Sequence, residues 1–434
     1  MSKKYLKQNV YSAALERIDL IFNEFEKVCV SFSGGKDSGV VLNLVLDLVL
    51  DYMRHNGIND KIGVLVIDLE GQYQETVKYI QTMLIANADL IDPYWVCLPL
   101  NLRNAVSVYQ PYWCCWEPGR EDKWIRSFPD FPVIKDQSYF PFYRYQMEFE
   151  EFVPEFNRWF AGEKKTACLI GIRSDESLNR FRAIVSDSKE KYGGLAWTTK
   201  ISDNVYNCYP IYDWRTEDIW IANGKNGWEY NKLYDLFYKA GVGIHDMRIC
   251  QPYGDDQRIG LNLFRVIEPE TWAKVVNRVS GANFGNIYCG TKALGYRQVQ
   301  LPEGHTWKSY TKLLLASLPP EARENYTRRF IRFMRYWNQK GCGLPDDCLD
   351  ALPASAVVTE DVTNRGKKNK RIVRYRKIED QLGGNLESKK YAPTWRRMAM
   401  CILKNDHLCK GLSFAQTKHQ AERQQQLIEK YRNL

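Results

Sequence analysis

The sequence lacks the features that would assign it to a membrane, export or scaffold class. No stretch approaches about 18 uninterrupted apolar residues, so no membrane span is expected. Residues 1–8 (MSKKYLKQ) contain no apolar region of the kind found in signal peptides. The 12 cysteines in 434 residues do not resemble a small disulfide scaffold. These absences predict a cytoplasmic protein in which most cysteines are reduced thiols.

Internal repeats are also absent, and the charge is only moderately unbalanced. The net charge of +9 suits a nucleotide or nucleic-acid partner without requiring one. The length predicts two or three domains. The hydrophobic patterns divide the chain into a region of alternating strands and helices at 1–220, a mainly helical region at 221–350, and a basic linker with closing helices at 351–434.

Apolar runs typical of buried strands alternate with helical patterns in the first half of the chain. The predicted strands cover residues 28–32, 61–69, 94–98 and 167–172. Because they are apolar on both faces, they predict a doubly wound parallel α/β sheet, followed by a mainly helical C-terminal extension. Ligands of such sheets bind beyond the carboxyl ends of the strands.

The first predicted strand leads directly into a six-residue turn, Ser33-Gly34-Gly35-Lys36-Asp37-Ser38, which precedes a helix. The glycines let the backbone turn tightly, so that successive N–H groups face one point near the helix N-terminus. Lys36 adds a full positive charge, and the two serines add hydroxyl donors. The spacing is not that of a Walker loop. It nevertheless predicts a phosphate site, and Asp37 beside it suggests a bound Mg²⁺.

Two more loops at predicted strand ends carry polar side chains. The second loop contains Asp68, Glu70 and Gly71, and an aspartate in this place is about as often a helix cap as a ligand contact. The third loop contains Arg173, which could clamp a phosphate or sulfate, and Arg180. The alternative for these arginines is a surface ion pair with Asp175 or Glu176.

Together with residues 209–220 (YPIYDWRTEDIW), which read as mostly structural, these loops resemble the PP-loop superfamily. That superfamily includes the N-type ATP pyrophosphatases and the phosphoadenylyl-sulfate (PAPS) reductases. The resemblance implies ATP or PAPS, with Mg²⁺, bound across the strand ends. Residues 33–38 would hold phosphates, Asp68, Glu70 and Gly71 would line the nucleotide pocket, and Arg173 and Arg180 would contact substrate. Lys36, Asp37 and Arg173 would act in the chemical step.

Three later segments, at 307–310, 393–397 and 410–414, resemble a narrower branch of PAPS-reductase-like proteins. This branch has a C-terminal domain of unknown function and includes the immunoglobulin-binding regulator A proteins of enteric bacteria and phages. Its members are often encoded beside a ParB-like, sulfiredoxin-like protein. The resemblance therefore implies such a partner.

The cysteines depart from the reductase pattern. A PAPS reductase has a Glu-Cys-Gly-x-His segment near its C-terminus, and the nearest counterpart here, around Cys342, lacks both the Glu and the His. Cys250, close to His245 and Arg248, is an alternative nucleophile if that setting lowers its pKa. A structural thiol is the plainer interpretation.

Metal or cluster binding by cysteine has only thin support. The adjacent Cys114 and Cys115 fit packed apolar thiols better than ligands of an iron–sulfur cluster or zinc. Cys401, His407 and Cys409 offer only three candidate ligands for a zinc ion, which prefers four.

Three function classes stay open at this point. The first is an enzyme acting at the α-phosphate of ATP or on PAPS. The second is a nucleotide-sensing regulator without turnover. The third is sulfur or adenylyl transfer to tRNA or DNA, with the basic run at 365–377 as the nucleic-acid contact. The alternative for that run is a solvated, flexible linker.

Overall fold

The fold is taken from a computed structural model, whose described residues divide into two compact units. The first unit contains residues 1–101, 114–252 and 262–274, and therefore extends past the boundary predicted at 220. The second contains residues 102–113, 253–261 and 275–434. The structure describes residues 6–56, 61–107, 110–176, 180–181, 184, 190–254, 261–279, 282, 301–363, 370–383, 385–404 and 406–413.

A six-stranded sheet forms the centre of the first unit. Its order is β3-β2-β1-β6-β8-β7, and every neighbouring pair is parallel except β7 with β8. The predicted doubly wound, mostly parallel sheet is thereby confirmed. The strands are β1 (Lys27–Ser31), β2 (Ile62–Ile67), β3 (Ile91–Val96), β6 (Thr166–Ile170), β7 (Thr198–Ser202) and β8 (Val205–Cys208).

Strand β1 lies at the point where the strand order reverses. The chain runs outward from β1 to β2 and β3, and then returns to add β6 on the other side of β1. Val30 accordingly pairs with Val64 of β2 on one side and with Leu169 of β6 on the other. The crevice beyond the carboxyl ends at such a reversal is where open α/β sheets bind ligands.

Helices alternate with these strands, as the sequence predicts. Phe152, Phe156 and Phe160, spaced four residues apart in α4, pack their rings as one apolar stripe. The helices are α1 (Val10–Glu24), α2 (Lys36–Asn56), α3 (Gln74–Ala86), α4 (Phe149–Ala161), α5 (Thr216–Asn226) and α6 (Leu233–Lys239), followed by α7 (Leu261–Ile267) and α8 (Pro269–Arg278). A short ladder joins β4 (Asn101–Arg103) to β5 (Tyr112–Cys114).

The second unit packs helices against a small antiparallel sheet of order β10-β11-β9. Phe333 and Trp337 of the long helix meet Val373 and Tyr375 of the central strand in its core. The elements are α9 (Trp307–Ser317), α10 (Pro320–Gln339), β9 (Cys342–Leu344), β10 (Ala356–Thr363), β11 (Lys370–Tyr375), α11 (Asn385–Ser388) and α12 (Trp395–Leu403).

The prediction of a flexible linker is wrong for residues 370–375, because they form β11. Val373 and Tyr375 are buried, and their period of two directs both side chains toward α10 while Arg374 lies between them. Residues 365–369 of the basic run, and the closing helix predicted near the C-terminus, lie outside the described residues. Within the described residues, no helix combines the length and the apolar character needed to cross a membrane.

Candidate functional site

The loop between β1 and α2 forms the tight turn that the glycines predict. Gly34 has a φ of +72°, in the region that favours glycine. The Ser33 amide donates to Ser38 Oγ at 3.2 Å, and that hydroxyl donates to the Gly35 carbonyl at 3.1 Å. These bonds close the loop on itself and fix the N-terminus of α2.

Glycine at 171 allows the carboxyl end of β6 to touch the first turn of α2. A Cβ atom at this position would lie 2.7 Å from the Asp37 carbonyl carbon and 2.7 Å from the Ser38 amide nitrogen. Because both atoms belong to the backbone, no side-chain rotation could relieve that clash. The third predicted loop is therefore brought directly against the first.

Three charged side chains meet at this contact. Arg173 Nε donates to Asp37 Oδ1 at 2.5 Å, and Lys36 Nζ lies 3.3 Å from Asp37 Oδ2. All three are largely buried, with side-chain exposures of 2% for Arg173, 6% for Lys36 and 13% for Asp37. One carboxylate thus holds two cations, which leaves net positive charge at the strand ends.

The Arg173 guanidinium retains unused capacity. Its Nη1 is buried and has no hydrogen-bond partner among the described residues. A buried donor without a partner is costly unless something else accepts from it. Since guanidinium groups bind phosphate and sulfate through a planar fork, an anion at the β1/β6 crevice would satisfy this atom.

Arg180 is engaged elsewhere. Its Nη1 forms an ion pair with Glu176 Oε2, one helical turn away, which is the alternative that the sequence left open. Burial raises the pKa of Glu176, and the charge of Asp37 raises it further, while Arg180, Lys36 and Arg173 lower it. Glu176 therefore belongs to the same electrostatic cluster as residues 33–38 (the predicted phosphate loop), whereas substrate contact by Arg180 stays a prediction.

Two residues that sequence reasoning missed brace the phosphate loop. The Lys36 amide donates to Tyr234 Oη at 2.9 Å, and Asn231 Nδ2 donates to the Gly34 carbonyl at 2.9 Å and to Thr76 Oγ1 at 3.0 Å. Asn231 lies in the segment between α5 and α6, and Tyr234 lies in the first turn of α6. A single sequence offers no signal for them, because their partners lie about two hundred residues earlier.

The segment that carries Cys250 also reaches the phosphate loop. The Met247 carbonyl accepts from Lys36 Nζ at 3.1 Å, and Arg248 Nη2 donates to the Glu176 carbonyl at 2.9 Å. Cys250 is partly exposed and interacts electrostatically with the Tyr73 hydroxyl, whose pKa is raised chiefly by burial. Cys250 thus lies three residues from a contact to Lys36.

The second predicted loop uses its carboxylates internally. Asp68 is fully buried, forms an ion pair with Arg126 Nη2, and accepts from Trp95 Nε1 at 3.1 Å. Glu70 is also fully buried and accepts from the Trp116 amide at 2.7 Å and from the Ile125 amide at 3.0 Å. These carboxylates fasten residues 116–126 to the carboxyl end of β2, and their contact with nucleotide stays a prediction.

Gly71 allows a close packing contact in the same loop. A Cβ there would lie 2.6 Å from Cδ of Pro252 and 3.3 Å from Cδ1 of Ile125. The absence of a side chain at Gly71 therefore lets this loop pack closely against Ile125 and against Pro252, which is two residues after Cys250. Its predicted role in letting a nucleotide approach is untested.

The candidate metal ligands named from the sequence are dispersed or engaged with other groups. Within the described residues, no three or more His, Cys, Asp or Glu side chains come together as a metal site. Cys114 and Cys115 are buried, and Cys115 Sγ lies 3.5 Å from the Leu98 carbonyl oxygen. His407 contacts Asn325, and the Cys401 thiol lies 3.7 Å from Asp406 Oδ2.

Asp37 does not fit a resident Mg²⁺ site by itself, because both of its oxygens already face cations. Mg²⁺ is commonly bound through one or two carboxylates together with substrate phosphates. A metal at this place would therefore arrive with the nucleotide, as part of the substrate.

Comparisons with known proteins agree with this geometry. The model of the phosphoadenosine phosphosulfate reductase domain matches residues 145–243, which include β6, Arg173 and Tyr234. The model described as Domain of unknown function (DUF3440) matches residues 241–423. Uncharacterized protein YbdN of Escherichia coli (strain K12) is 39% identical over 415 residues, covering 94% of this chain and 91% of YbdN.

More distant similarities are found as well. Uncharacterized protein MJ0066 of Methanocaldococcus jannaschii is 26% identical over 229 residues, covering 50% of this chain and 36% of MJ0066. Among solved structures, PAPS reductase from Candida auris in a phosphate complex is 13% identical, with a TM-score of 0.30 over 54% of this chain and 94% of that chain. FMN adenylyltransferase of Candida glabrata, with FMN and an ATP analog, is 16% identical, with a TM-score of 0.32 over 54% of this chain and 63% of that chain.

The match to the reductase domain, the relative that covers most of this chain and the sheet order agree with one another. The phosphate loop after β1 and the arginine after β6 meet at the point where the strand order reverses, as the predicted resemblance requires. The chain belongs to the PAPS reductase-like PP-loop superfamily, in a family that it shares with YbdN and whose C-terminal region is the DUF3440 domain.

Proposed function

We propose that this protein is an enzyme that binds an adenine nucleotide at the carboxyl ends of β1 and β6. It catalyses a reaction at the α-phosphate of ATP or at the sulfonate group of PAPS. The observation that carries this proposal is Arg173, a guanidinium that is 2% exposed and keeps Nη1 without a partner among the described residues. Lys36 and the amides at the start of α2 lie on the same crevice. This combination of fixed donors suits a polyphosphate better than a neutral ligand.

With ATP as substrate, the reaction is attack on the α-phosphorus. An oxyanion of the acceptor supplies the electron pair of the new P–O bond, and the bond to the β-phosphate bridging oxygen breaks. Pyrophosphate leaves with that electron pair, and the acceptor becomes adenylylated. Lys36 and Arg173 stabilise the negative charge that develops in transfer, since they are fixed in place before the reaction begins.

Asp37 has a positioning part in this scheme. Its carboxylate holds Arg173 Nε and faces Lys36 Nζ, so it orients both cations toward one point. Tyr234 and Asn231 hold the loop backbone from the other direction. We therefore expect Asp37→Asn to reduce turnover while some nucleotide binding is kept.

PAPS is the second candidate substrate, and the contact of the 247–250 segment with Lys36 favours it. In that reaction the Cys250 thiolate attacks the sulfonate sulfur, and the S–O bond to the nucleotide breaks. Adenosine 3′,5′-bisphosphate leaves, and the cysteine carries an S-sulfonate. A second thiol then attacks the Cys250 sulfur, releases sulfite and forms a disulfide, so a thiol reductant is needed as co-reactant.

Product analysis distinguishes the two candidates. The pure full-length protein is incubated with Mg²⁺ and ATP, or with PAPS and a thiol reductant, and the products are separated by chromatography. AMP or adenylylated acceptor with pyrophosphate supports the first reaction. Adenosine 3′,5′-bisphosphate with sulfite supports the second, and Cys250→Ser should then abolish it while leaving PAPS binding.

Binding without turnover, under both conditions and with candidate acceptors added, would contradict the enzyme and favour a nucleotide-sensing regulator. Absence of binding to either nucleotide would contradict the proposal as a whole. Arg120→Gln serves as the control variant, because the Arg120 side chain is 43% exposed and forms an ion pair with Glu117, three residues earlier.

A further inference from the structure

The second unit carries an arginine stripe on its longest helix, and the nucleotide chemistry does not use it. Helix α10 contains five arginines and two glutamates among its 20 residues. Its buried positions are Ala322, Tyr326, Phe330, Phe333 and Trp337, which form one continuous side of the helix. The arginine stripe, defined here as Arg328, Arg332 and Arg335, lies on the opposite side, because about 3.6 residues make one turn.

The stripe is exposed to solvent. All three arginines are exposed, and Arg328 and Arg335 make no ion pair within the described part of the chain. The two glutamates, Glu321 and Glu324, lie in the first two turns of α10, where negative charge interacts favourably with the helix dipole. Positive charge is thereby concentrated in the middle and C-terminal half of α10.

A shallow space follows the same side of the helix. It has a volume of about 610 Å³ and is bounded by side chains of α10, including the whole stripe with Arg323, Glu324, Thr327 and Ile331. Ile331 is 45% exposed between the arginines, so an apolar contact point is available beside the charges. Regularly spaced cations around a shallow groove complement a linear polyanion better than a single small anion.

The spacing fits a chain of phosphates. With a rise of about 1.5 Å per residue, Arg328 and Arg335 are separated by about 10 Å along the axis, and Arg332 lies between them. Arginine is also the side chain best suited to bidentate phosphate contacts. Exposed Arg376 and Lys377, directly after β11, add positive charge to the same unit.

We propose that the arginine stripe of α10 binds the phosphodiester backbone of a nucleic acid. The buried opposite side keeps α10 in the core, so the helix lies along the backbone and does not read base edges. Binding is therefore independent of sequence and strongly dependent on salt. DNA and RNA share this backbone, and the experiment separates them as sources.

The test measures fluorescence anisotropy of the full-length protein with two labelled probes, a DNA duplex and an RNA hairpin of about 25 base pairs each, between about 50 and 200 mM salt. Deleting the basic run at 365–377 would remove the central strand β11, so substitution is the cleaner approach. The variant is Arg328→Gln/Arg332→Gln/Arg335→Gln. The matched control replaces three exposed lysines of the first unit, Lys225, Lys239 and Lys274, by glutamine.

We expect the arginine variant to bind at least one probe about 10- to 100-fold more weakly and to lower the slope of log affinity against log salt by about 2 to 3, since each phosphate contact contributes about 0.9. The control with three lysines replaced should keep most of the affinity and most of the salt dependence. A lysine version of the stripe should restore the slope, because it keeps the charge. The probe that binds more tightly identifies the source.

Two results would overturn the proposal: no binding of the unsubstituted protein to either probe, or equal affinity and slope for the arginine variant. The first would leave an acidic protein as the better partner for the stripe. The proposal does not depend on the nucleotide site, so a negative result here and a failure of the proposed function are separate outcomes.

Discussion

The loops after β1 and β2 leave adjacent parallel strands of one sheet, and they use their charged side chains in opposite ways. After β1, Lys36 and Asp37 meet Arg173, which keeps a buried donor without a partner among the described residues. After β2, Asp68 and Glu70 are fully buried, and their oxygens accept from protein donors. The cluster at the first loop keeps one donor unused within the described residues, whereas the second loop uses its carboxylates inside the protein.

A motif at a strand end therefore does not by itself leave its side chains available to a ligand. Asp68 and Glu70 fasten an insertion that the first loop does not have. Their substitution should therefore act on folding, whereas substitution at Arg173 should act on binding. Four substitutions test this contrast, in decreasing order of expected effect.

Asp68→Ala should lower the free energy of unfolding by about 3–5 kcal/mol, because it leaves the buried Arg126 guanidinium without its partner. Chemical denaturation of the full-length protein measures the change. Asp122→Ala is the control, since Asp122 is exposed and its removal should have almost no effect. Unchanged stability of Asp68→Ala would mean that the second loop is not structural.

Gly171→Ala should lower the free energy of unfolding by about 1–3 kcal/mol, because its Cβ would overlap the backbone of Asp37 and Ser38. It should also weaken nucleotide binding, since the backbone shift separates Arg173 from Asp37. Thermal unfolding and nucleotide titration measure the two effects. Gly224→Ala is the control, because a Cβ at Gly224 meets nothing within 4 Å. Equal behaviour of both variants would contradict the close approach.

Tyr234→Phe should lower the free energy of unfolding by about 1 kcal/mol, because the Lys36 amide loses its acceptor. Tyr73→Phe is a matched control in the same unit, since the Tyr73 hydroxyl is buried and has no hydrogen-bond partner among the described residues. That control should be neutral or slightly stabilising. A larger loss for Tyr73→Phe than for Tyr234→Phe, by chemical denaturation, would reverse the assignment.

Glu268→Gln should have the smallest effect, visible as a pH trend. Burial raises the pKa of Glu268 above its ordinary value of 4.5. The folded protein therefore holds this proton more tightly, and the resulting stabilisation is full below pH 4.5 and lost as pH rises through the folded pKa. The Tm of the variant relative to that of the unsubstituted protein should therefore rise as the pH increases from 4.5 through the folded pKa. A relative loss over that range would contradict the shift.

The sheet and the phosphate loop could be predicted because their determinants are local. Apolar runs define the strands, and Gly34 followed by Lys36 defines the turn in six consecutive residues. Arg173 could be predicted as well, because it follows a strand that pairs with β1. The meeting of the two loops then follows from the parallel order of the strands.

The engagement of Asp68 and Glu70 could not be predicted, since their partners lie in an irregular segment about fifty residues later. Tyr234 is a stronger case, because 198 residues separate it from Lys36. The error at β11 has a different cause. The alternation of the apolar Val373 and Tyr375 with the polar Arg374 is typical of a strand, but the basic residues around them favoured the interpretation as a solvated linker.

Nucleotide titration of the unsubstituted protein and of Arg173→Gln tests whether a nucleotide binds at the crevice that contains Arg173. Calorimetry with Mg²⁺-ATP and with PAPS gives both affinities, and thermal unfolding confirms that the variant is folded. We expect the unsubstituted protein to bind at least one nucleotide and Arg173→Gln to bind it about 10- to 100-fold more weakly. Equal affinity of a folded Arg173→Gln variant would contradict the proposed nucleotide site.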